Sequence, residues 1–250
     1  MTDPKNGTVD RVAIVTGAAS GIGLATARRL LASNWRVIGV DLDAEAVSER
    51  VQADRSFMAI GADIGDPGDV DDLYAATMER FGRVDAVANI AGVSVPSDTL
   101  LEDVDLDVFD RTHRVNMRGT FLMCKAAIAP LRAAGGGAIV NLGSVASVRG
   151  VGGPAYVSSK AGIAGLSRAI ATQYAADLIR CNTVAPGPIS TPMLEISKQK
   201  PTVNTGGAPG LISGEGDPDE VAALIEFLAA DSGRFMTGGV YTIDGGVTQH

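Results

Sequence analysis

The residues best suited to chemistry in this sequence are a tyrosine and a lysine four positions apart. Tyr156 and Lys160 lie in GGPAYVSSKAGIAGLSRAIA, residues 152–171, a segment whose pattern predicts a helix. Residues i and i+4 share one helix face, so the phenol and the ammonium would be neighbours. Two interpretations compete: an exposed pair that covers apolar surface, or a proton-transfer site in which the ammonium lowers the pKa of the phenol.

A glycine-rich turn near the start of the chain is a second candidate site. TGAASGIG, residues 16–23, follows a buried strand pattern and opens a predicted helix. Glycine permits a tight turn and a close approach to a diphosphate, and a helix N-terminus offers free N–H groups to an anion. By itself, the turn does not separate a nucleotide site from an ordinary tight turn. The expected phosphate-binding residues are Gly17, Ser20, Gly21, Ile22 and Gly23.

An acid at the end of the next strand pattern favours the nucleotide interpretation. Asp41 stands 18 residues after Gly23. A carboxylate there can accept hydrogen bonds from ribose hydroxyls and would repel a 2′-phosphate. No Arg or Lys occupies positions 18–20 or 42–43, so the sequence predicts NAD rather than NADP. The alternative is a solvated acid or a helix cap, a role that suits Asp43 better.

The elements that position these residues alternate along the chain. Seven β-branched runs predict strands, and longer helical patterns separate them. The predicted strands are 11–17, 36–43, 56–63, 84–92, 137–144, 180–187 and 240–246. The predicted helices are 21–32, 43–53, 68–82, 105–133, 154–176 and 218–231. We therefore predict an α/β, Rossmann-type, doubly wound parallel sheet of seven strands with helices on both faces, built as one dinucleotide-binding and catalytic domain over 1–250.

Composition excludes several other classes. Acids outnumber bases 29 to 21, and no basic patch with interleaved aromatics suggests nucleic acid. The polar N-terminal segment contains no apolar leader, and no run approaches the ~20 apolar residues of a membrane span. Cys124 and Cys181 form no metal or disulfide pattern, which favours buried free thiols and a cytoplasmic location. His113 and His250 have no metal-ligand spacing, so no metal site is expected.

Taken in order, the motifs resemble those of short-chain dehydrogenases/reductases of the single-domain branch. The matching segments are TGAASGIG, NIAG at 89–92, Asn116, Ser144, YVSSK at 156–160, APGPISTPM at 185–193 and DGG at 244–246. The resemblance covers nearly the whole chain. It implies an NAD-dependent oxidoreductase that transfers a hydride between the cofactor and a secondary alcohol or ketone.

The resemblance also implies roles for four catalytic residues. Tyr156 would be the general acid/base, and Lys160 would promote its phenolate and hold the nicotinamide ribose. Ser144 would hydrogen-bond the substrate oxygen. Asn116 would kink its helix and anchor a water that leads from Lys160.

Further cofactor contacts are implied in the same way. Asp63 resembles the acid that binds the adenine amino group, with Ile64 beside the ring. Asn89 is expected to stabilise the sheet end, where Ile90 replaces the second Asn of the usual family pattern. The remaining expected cofactor contacts are Ala91, Gly92, Pro186, Gly187, Ile189 and Thr191.

The substrate side is expected to involve 94–97, 145–153 and a Pro/Gly/Ser/Thr-rich loop at about 188–217. An apolar wall would consist of Val145, Val151, Met193 and Leu194. Arg149 would either face an anionic substrate group or be solvated.

The resemblance also implies association into a homotetramer through the helices at about 105–133 and 154–176, whose faces carry the small residues Ala126, Ala127, Ala161, Gly162, Ala164 and Gly165. Two other functions stay open at this point. One is a non-catalytic NAD(H)-binding redox sensor or scaffold protein, and the other is different chemistry on the same scaffold, such as epimerisation or dehalogenation.

Overall fold

A computed structural model describes residues 11–51, 55–198 and 210–249. Within these residues the chain forms one seven-stranded sheet in the order β3-β2-β1-β4-β5-β6-β7, and every neighbouring pair is parallel. The strands are β1 Val12–Thr16, β2 Arg36–Asp41, β3 Phe57–Gly61, β4 Ala86–Asn89, β5 Gly137–Leu142, β6 Ile179–Pro186 and β7 Val240–Ile243. The predicted α/β Rossmann-type sheet is confirmed.

Helices cover both faces of the sheet. In chain order they are α1 Gly21–Ala32, α2 Ala44–Val51, α3 Pro67–Phe81, α4 Leu106–His113, α5 Thr120–Ala133, α6 Ala146–Arg149, α7 Pro154–Gln173, α8 Pro192–Lys198 and α9 Pro218–Ala229. Buried aliphatic residues of α1, α2 and α9 form one core layer, and those of α3, α5 and α7 form the other. None of the helices in the described residues is long and apolar enough to cross a membrane.

The strand order reverses between β1 and β4, which lie side by side although two strands separate them in sequence. At such a switch point the connections after the two strands leave toward opposite faces, and a crevice opens at the carboxyl ends of the strands. The glycine-rich turn after β1 and the NIAG segment after β4 both border this crevice. The topology thus brings the predicted motifs to one edge of the sheet.

The predicted helix over 105–133 is interrupted by a π-helical turn. Residues Arg114–Gly119 have this wider geometry between α4 and α5, and Asn116 lies inside it. A π-turn often marks a functional position in a helix. The predicted kink at Asn116 therefore takes the form of a local widening.

Several boundaries differ from the sequence prediction. Most strands are shorter at their C-terminal ends, because residues such as Leu42 lie beyond the last ladder pair and are exposed. The segment 188–217 contains helix α8 and an Ile189–Gly216 bridge. Pro192 suits the first helical position, and MLEISK continues the helix. Positions 199–209 of this segment, and 52–54 of the predicted 43–53 helix, lie outside the described residues.

The small residues expected at subunit contacts divide into two groups. Ala127 is fully buried in the core of its own chain. Gly162 faces Met117, whose sulfur would lie 2.9 Å from a Cβ added to the glycine. These two positions serve packing within the chain, whereas Ala161 and Gly165 are exposed. The two free cysteines, Cys124 and Cys181, are buried as predicted.

Candidate active site

Tyr156, Lys160 and Ser144 converge at the start of α7. The Tyr156 side chain is hydrogen-bonded to that of Ser144, which follows β5. The Lys160 Nζ lies 5.8 Å from the centroid of the Tyr156 ring and donates a 2.8 Å hydrogen bond to the carbonyl of Leu142. The phenol and the ammonium are therefore neighbours, as their spacing indicated.

Burial controls the protonation of this pair. It raises the pKa of the Tyr156 phenol, and the hydrogen bond to Ser144 opposes that rise. Burial lowers the pKa of Lys160 to about 8. The expected lowering of the phenol pKa by the ammonium is thus wrong for this structure, because removal of the phenol from water is the largest effect on it.

Asn116 connects the π-turn to the segment after β4. Its Oδ1 accepts a 2.8 Å hydrogen bond from Val93 N, and its Nδ2 donates to Val93 O at 3.0 Å and to Ser159 Oγ at 3.1 Å. Gly92 makes room for this arrangement, since a Cβ there would lie 3.1 Å from Asn116 Oδ1 and 3.4 Å from Lys160 Nζ. The carboxamide of Asn116 is therefore held by the backbone of Val93 and by Ser159, the residue before Lys160.

The glycine-rich turn has the close packing that a diphosphate site requires. Gly17 and Gly21 have φ angles of +72° and +49°, which favour glycine. A Cβ at Gly23 would lie 2.0 Å from the carbonyl oxygen of Gly17, so the first turn of α1 rests directly on the loop. Ser20 is the N-cap of α1 and its side chain makes no capping bond. With Ile22, these residues fit an anion at the helix N-terminus.

Asp41 lies beside this turn, at the end of β2. Its Oδ2 accepts a 3.1 Å hydrogen bond from Ala19 N, and its Oδ1 accepts one of 2.8 Å from Leu42 N. The carboxylate is thus fixed at the rim of the turn. A cation that was not predicted also lies here: Arg50 Nη1 donates to Ala19 O at 2.6 Å, although it is 31 residues from Ala19 in the chain.

Two of the predicted adenine contacts have other partners. Asp63 Oδ2 accepts a 2.8 Å hydrogen bond from Arg114, which is the first cause of the lowered pKa of this carboxyl. Ile64 is buried against Gly119, where a Cβ would lie 2.8 Å from Ile64 Cδ1. The Ile64 side chain therefore packs inward. This placement corrects the prediction that Ile64 lies beside the adenine ring.

Asn89 has the sheet-stabilising position that was expected, but it lies in the interior. It pairs with Asn141 across β4 and β5, and its Nδ2 donates to Asn141 Oδ1 at 2.8 Å. The side chain is buried and packs on Cys124. The buried position of Asn89 therefore does not support the prediction that this residue contacts the cofactor directly.

The other predicted contacts border the crevice. Ala91 packs against the turn at Gly17, where an added Cβ would lie 3.1 Å from Ala91 Cα. Thr191 covers Gly21, since its Cγ2 would lie 3.0 Å from a Cβ there. Pro186, Gly187, Ile189 and Thr191 line one cleft together with Ile22.

That cleft has a volume of about 1030 Å³, and Ser144 and Tyr156 line it. The four predicted wall residues Val145, Val151, Met193 and Leu194 line it as well. Arg149 also borders the cleft and donates a hydrogen bond to the carbonyl of Val247. The guanidinium is partly buried and bonded to the C-terminal turn, so the alternative of a fully solvated Arg149 is corrected, whereas a role toward an anionic substrate group stays a prediction.

Sequence reasoning missed two features of the cleft. Asp98 lines it and is almost fully buried, at 1% exposure. Gly245 and Val247 of the C-terminal turn line it too, and Gly245 O accepts a 2.8 Å hydrogen bond from Ile212 N. Asp98 belongs to no recognisable motif, and the DGG segment gave no sign that Gly245 and Val247 reach the cleft, because each placement depends on contacts between distant parts of the chain.

Comparison with known proteins identifies the class that this fold and site define. The model of a family described as "Enoyl-(Acyl carrier protein) reductase" matches residues 17–248. The chain belongs to the short-chain dehydrogenase/reductase family and is an oxidoreductase that acts on CH–OH groups. The non-catalytic alternative is not favoured.

Individual relatives are similar over their full length. The 2-(R)-hydroxypropyl-CoM dehydrogenase of Xanthobacter autotrophicus is 39% identical, with 96% of this chain and 99% of the relative covered. A crystal structure of levodione reductase has a TM-score of 0.89 and 34% identity, covering 96% of this chain and 99% of that one. A 3-ketoacyl-(acyl-carrier-protein) reductase from Brucella melitensis, complexed with NADH, has a TM-score of 0.87 and 28% identity, covering 96% and 100%.

Proposed function

We propose that this chain is an NAD-dependent dehydrogenase of secondary alcohols, with Tyr156 as the general acid/base. The observation that carries the proposal is the convergence of Ser144, Tyr156 and Lys160 at one cleft, beside a glycine turn that fits a diphosphate. A relative of known structure that was complexed with NADH supports a nicotinamide cofactor. The turn at Gly17–Gly23 and Asp41 would hold its adenosine diphosphate half.

The residues divide the chemistry between them. A bound nicotinamide would take the hydride from the substrate carbon. Tyr156 takes the proton from the substrate hydroxyl, and Ser144 donates a hydrogen bond to the same oxygen while charge develops on it. With the cofactor bound, the Lys160 ammonium and the positive nicotinamide would together favour the phenolate and oppose the effect of burial on the phenol pKa. The carbonyl of Leu142 keeps the ammonium in place.

The cleft supports a substrate of modest size. Its wall is aliphatic at Val145, Val151, Met193 and Leu194, which suits an apolar group beside the reacting carbon. Relatives named for 2-(R)-hydroxypropyl-CoM, for levodione and for a 7alpha-hydroxysteroid show how much the substrate varies on this scaffold. We therefore propose a secondary alcohol or its ketone, without naming the compound.

The test is reduction of NAD⁺ followed at 340 nm against secondary alcohols, polyols, hydroxyacyl esters and cyclic diols. Tyr156→Phe should bind NADH like the parent and lose turnover almost completely. Tyr174→Phe is the matched control, because Tyr174 lies beside Arg132 and not at the cleft. Turnover in Tyr156→Phe close to that of the parent would overturn the proposal.

NAD rather than NADP is supported by the fixed carboxylate of Asp41, although Arg50 lies on the same turn. Asp41→Ala should reduce the preference for NAD over NADP, measured as the ratio of kcat/KM values, by about tenfold, or ~1.4 kcal/mol. Asp43→Ala is the control, because that carboxylate caps α2 by accepting from Ala46 N. An unchanged ratio in Asp41→Ala would contradict the ribose role.

We further propose a homotetramer located in the cytoplasm. Exposed aromatic residues on α4 and α5, Phe109 and Phe121, support association of this helical face. Exposed small residues on α7, Ala161 and Gly165, permit close approach of a second copy. The buried free thiols Cys124 and Cys181 suit a reducing compartment. Light scattering that shows a stable monomer would overturn the assembly proposal.

A further inference from the structure

The helix that carries Tyr156 begins without a side-chain cap of its own. Its N-cap is Gly153, which has no side chain to accept from the first free N–H groups. Gly153 also has no room for one. A Cβ at this position would lie 2.0 Å from Asp98 Cγ and 2.3 Å from the carbonyl oxygen of Asp98.

Asp98 provides the missing cap from a separate segment. Its Oδ1 accepts a 3.1 Å hydrogen bond from Ala155 N, and its Oδ2 accepts one of 2.8 Å from Tyr156 N. The two sequence separations are 57 and 58 residues. Asp98 is 1% exposed, so both bonds are shielded from water. A carboxylate at a helix N-terminus also interacts favourably with the helix dipole.

The hydrogen bond from Tyr156 N to Asp98 Oδ2 holds the backbone of the tyrosine itself. The Tyr156 side chain is hydrogen-bonded to Ser144, which lies outside α7. The position of the phenol relative to Ser144 therefore depends on where the first turn of α7 lies. Asp98 fixes that turn with two bonds, one to each carboxylate oxygen, from consecutive backbone N–H groups. A shift of about 1 Å in a catalytic group can cost about 100-fold in rate.

We infer that Asp98 is a positioning residue, which holds the first turn of α7 so that the Tyr156 phenol stays at Ser144 and the substrate oxygen. The inference rests on the proposed role of Tyr156. Asp98 also borders the cleft, so the residue that holds the first turn of α7 lies next to the proposed substrate space.

The variants are Asp98→Ala, which removes both acceptors, and Asp98→Asn, which retains one. The control is Asp66→Ala, because Asp66 is a carboxylate cap of a helix away from the cleft: it is the N-cap of α3, and its Oδ1 accepts from Gly68 N and Asp69 N. At saturating cofactor and with the panel compound turned over fastest, we expect kcat to fall by about tenfold or more in Asp98→Ala. Asp98→Asn should be intermediate. Asp66→Ala should melt earlier than the parent and keep its kcat.

Two comparisons separate positioning from simple loss of stability. Asp98→Ala should bind NADH with a Kd within about twofold of the parent, because the glycine turn is untouched. Asp98→Asn should restore a larger fraction of the kcat that Asp98→Ala loses than of the melting temperature that it loses. Equal kcat values in Asp98→Ala and Asp66→Ala at equal melting temperature would overturn the inference.

Hydrogen exchange tests the holding step without any substrate. The amides of Ala155 and Tyr156 should exchange faster in Asp98→Ala than in the parent, and those of α3 should not. Unchanged exchange at both amides would overturn the inference. Tyr156→Phe, run in parallel, distinguishes the two failures: if it retains turnover the proposed function fails, whereas a dead Tyr156→Phe with a fully active Asp98→Ala removes only the role of Asp98.

Discussion

The Lys160 ammonium nitrogen lies 5.8 Å from the centroid of the Tyr156 ring, and the lysine is only 3% exposed. Burial disfavours the charged form of a lysine, which explains its pKa of about 8. The folded protein therefore bears the cost of a buried cation at neutral pH. A lysine with one carbonyl partner and such burial belongs to function rather than to stability.

The pH dependence of stability should reveal this cost. The pKa of Lys160 is about 8 when folded and near its ordinary 10.5 when unfolded. Between these values the unfolded state binds more protons, so the contribution of Lys160 to stability rises with pH. Relative to Lys160→Met, the parent should gain about 1 kcal/mol in unfolding free energy between pH 7 and pH 9. Urea denaturation at both pH values measures it, and parallel pH profiles for the two proteins would contradict the prediction.

A side chain inside the glycine turn should weaken cofactor binding strongly. Gly23→Ala would place a Cβ 2.0 Å from Gly17 O and force the turn apart. We expect the NADH Kd to rise by about 100-fold, or ~2.7 kcal/mol, measured by fluorescence titration. Gly165→Ala is the control, because a Cβ there meets nothing within 4 Å. Unchanged NADH affinity in a cooperatively folded Gly23→Ala would show that the turn does not contact the diphosphate.

Arg149 should affect substrate binding more than chemistry. Its guanidinium ties the C-terminal turn at Val247 to the cleft, and that turn holds Ile212 through Gly245. Arg149→Gln should raise KM for the substrate about fivefold, or ~1 kcal/mol, and leave kcat within about twofold. Arg168→Gln, on the exposed face of α7, is the control. A loss confined to kcat would place Arg149 in the chemical step instead.

The assembly proposal can be tested on α7. Gly165 is exposed, and an added Cβ meets nothing within its own chain. Gly165→Arg should therefore fold as a subunit but lower the assembly mass, because the side chain would enter the contact between copies. Light scattering measures the mass, with Glu49→Arg on the outer face of α2 as the control. A tetramer that tolerates Gly165→Arg would exclude this helix face from the contact.

Local patterns were sufficient to predict the sheet and the motif-bearing turns. β-branched runs predict strands because packing between two helical layers needs aliphatic residues on both faces, as in β1 and β6. Gly17 and Gly21 were informative because their positive φ angles leave few other residue types possible. The Tyr156 and Lys160 spacing was informative because a helix converts sequence separation into a shared face.

Features that depend on distant partners could not be predicted. Nothing in the residue types around Asn116 indicates a π-turn, because its carboxamide is fixed by Val93, 23 residues away. In the sequence, Asp98 resembles any other acidic residue of a loop. Its role is visible only in the structure, where Gly153 packs against it. Ile64 was misplaced because a strand end exposes one residue to the crevice and turns the next inward, and the sequence does not say which.

The π-turn also limits how this chain can change in length. Arg114–Gly119 contains one residue more than a regular helix would need to span the same rise. Deleting a single residue there would restore regular geometry and leave α4 and α5 in their present register, whereas deleting one residue within α4 or α5 would rotate the part beyond it by about 100°, the angle between successive residues at 3.6 per turn. Homologous chains should therefore tolerate a single-residue gap at the π-turn far better than within α4 or α5, and insertions should collect in the loops at the two ends of this helical region.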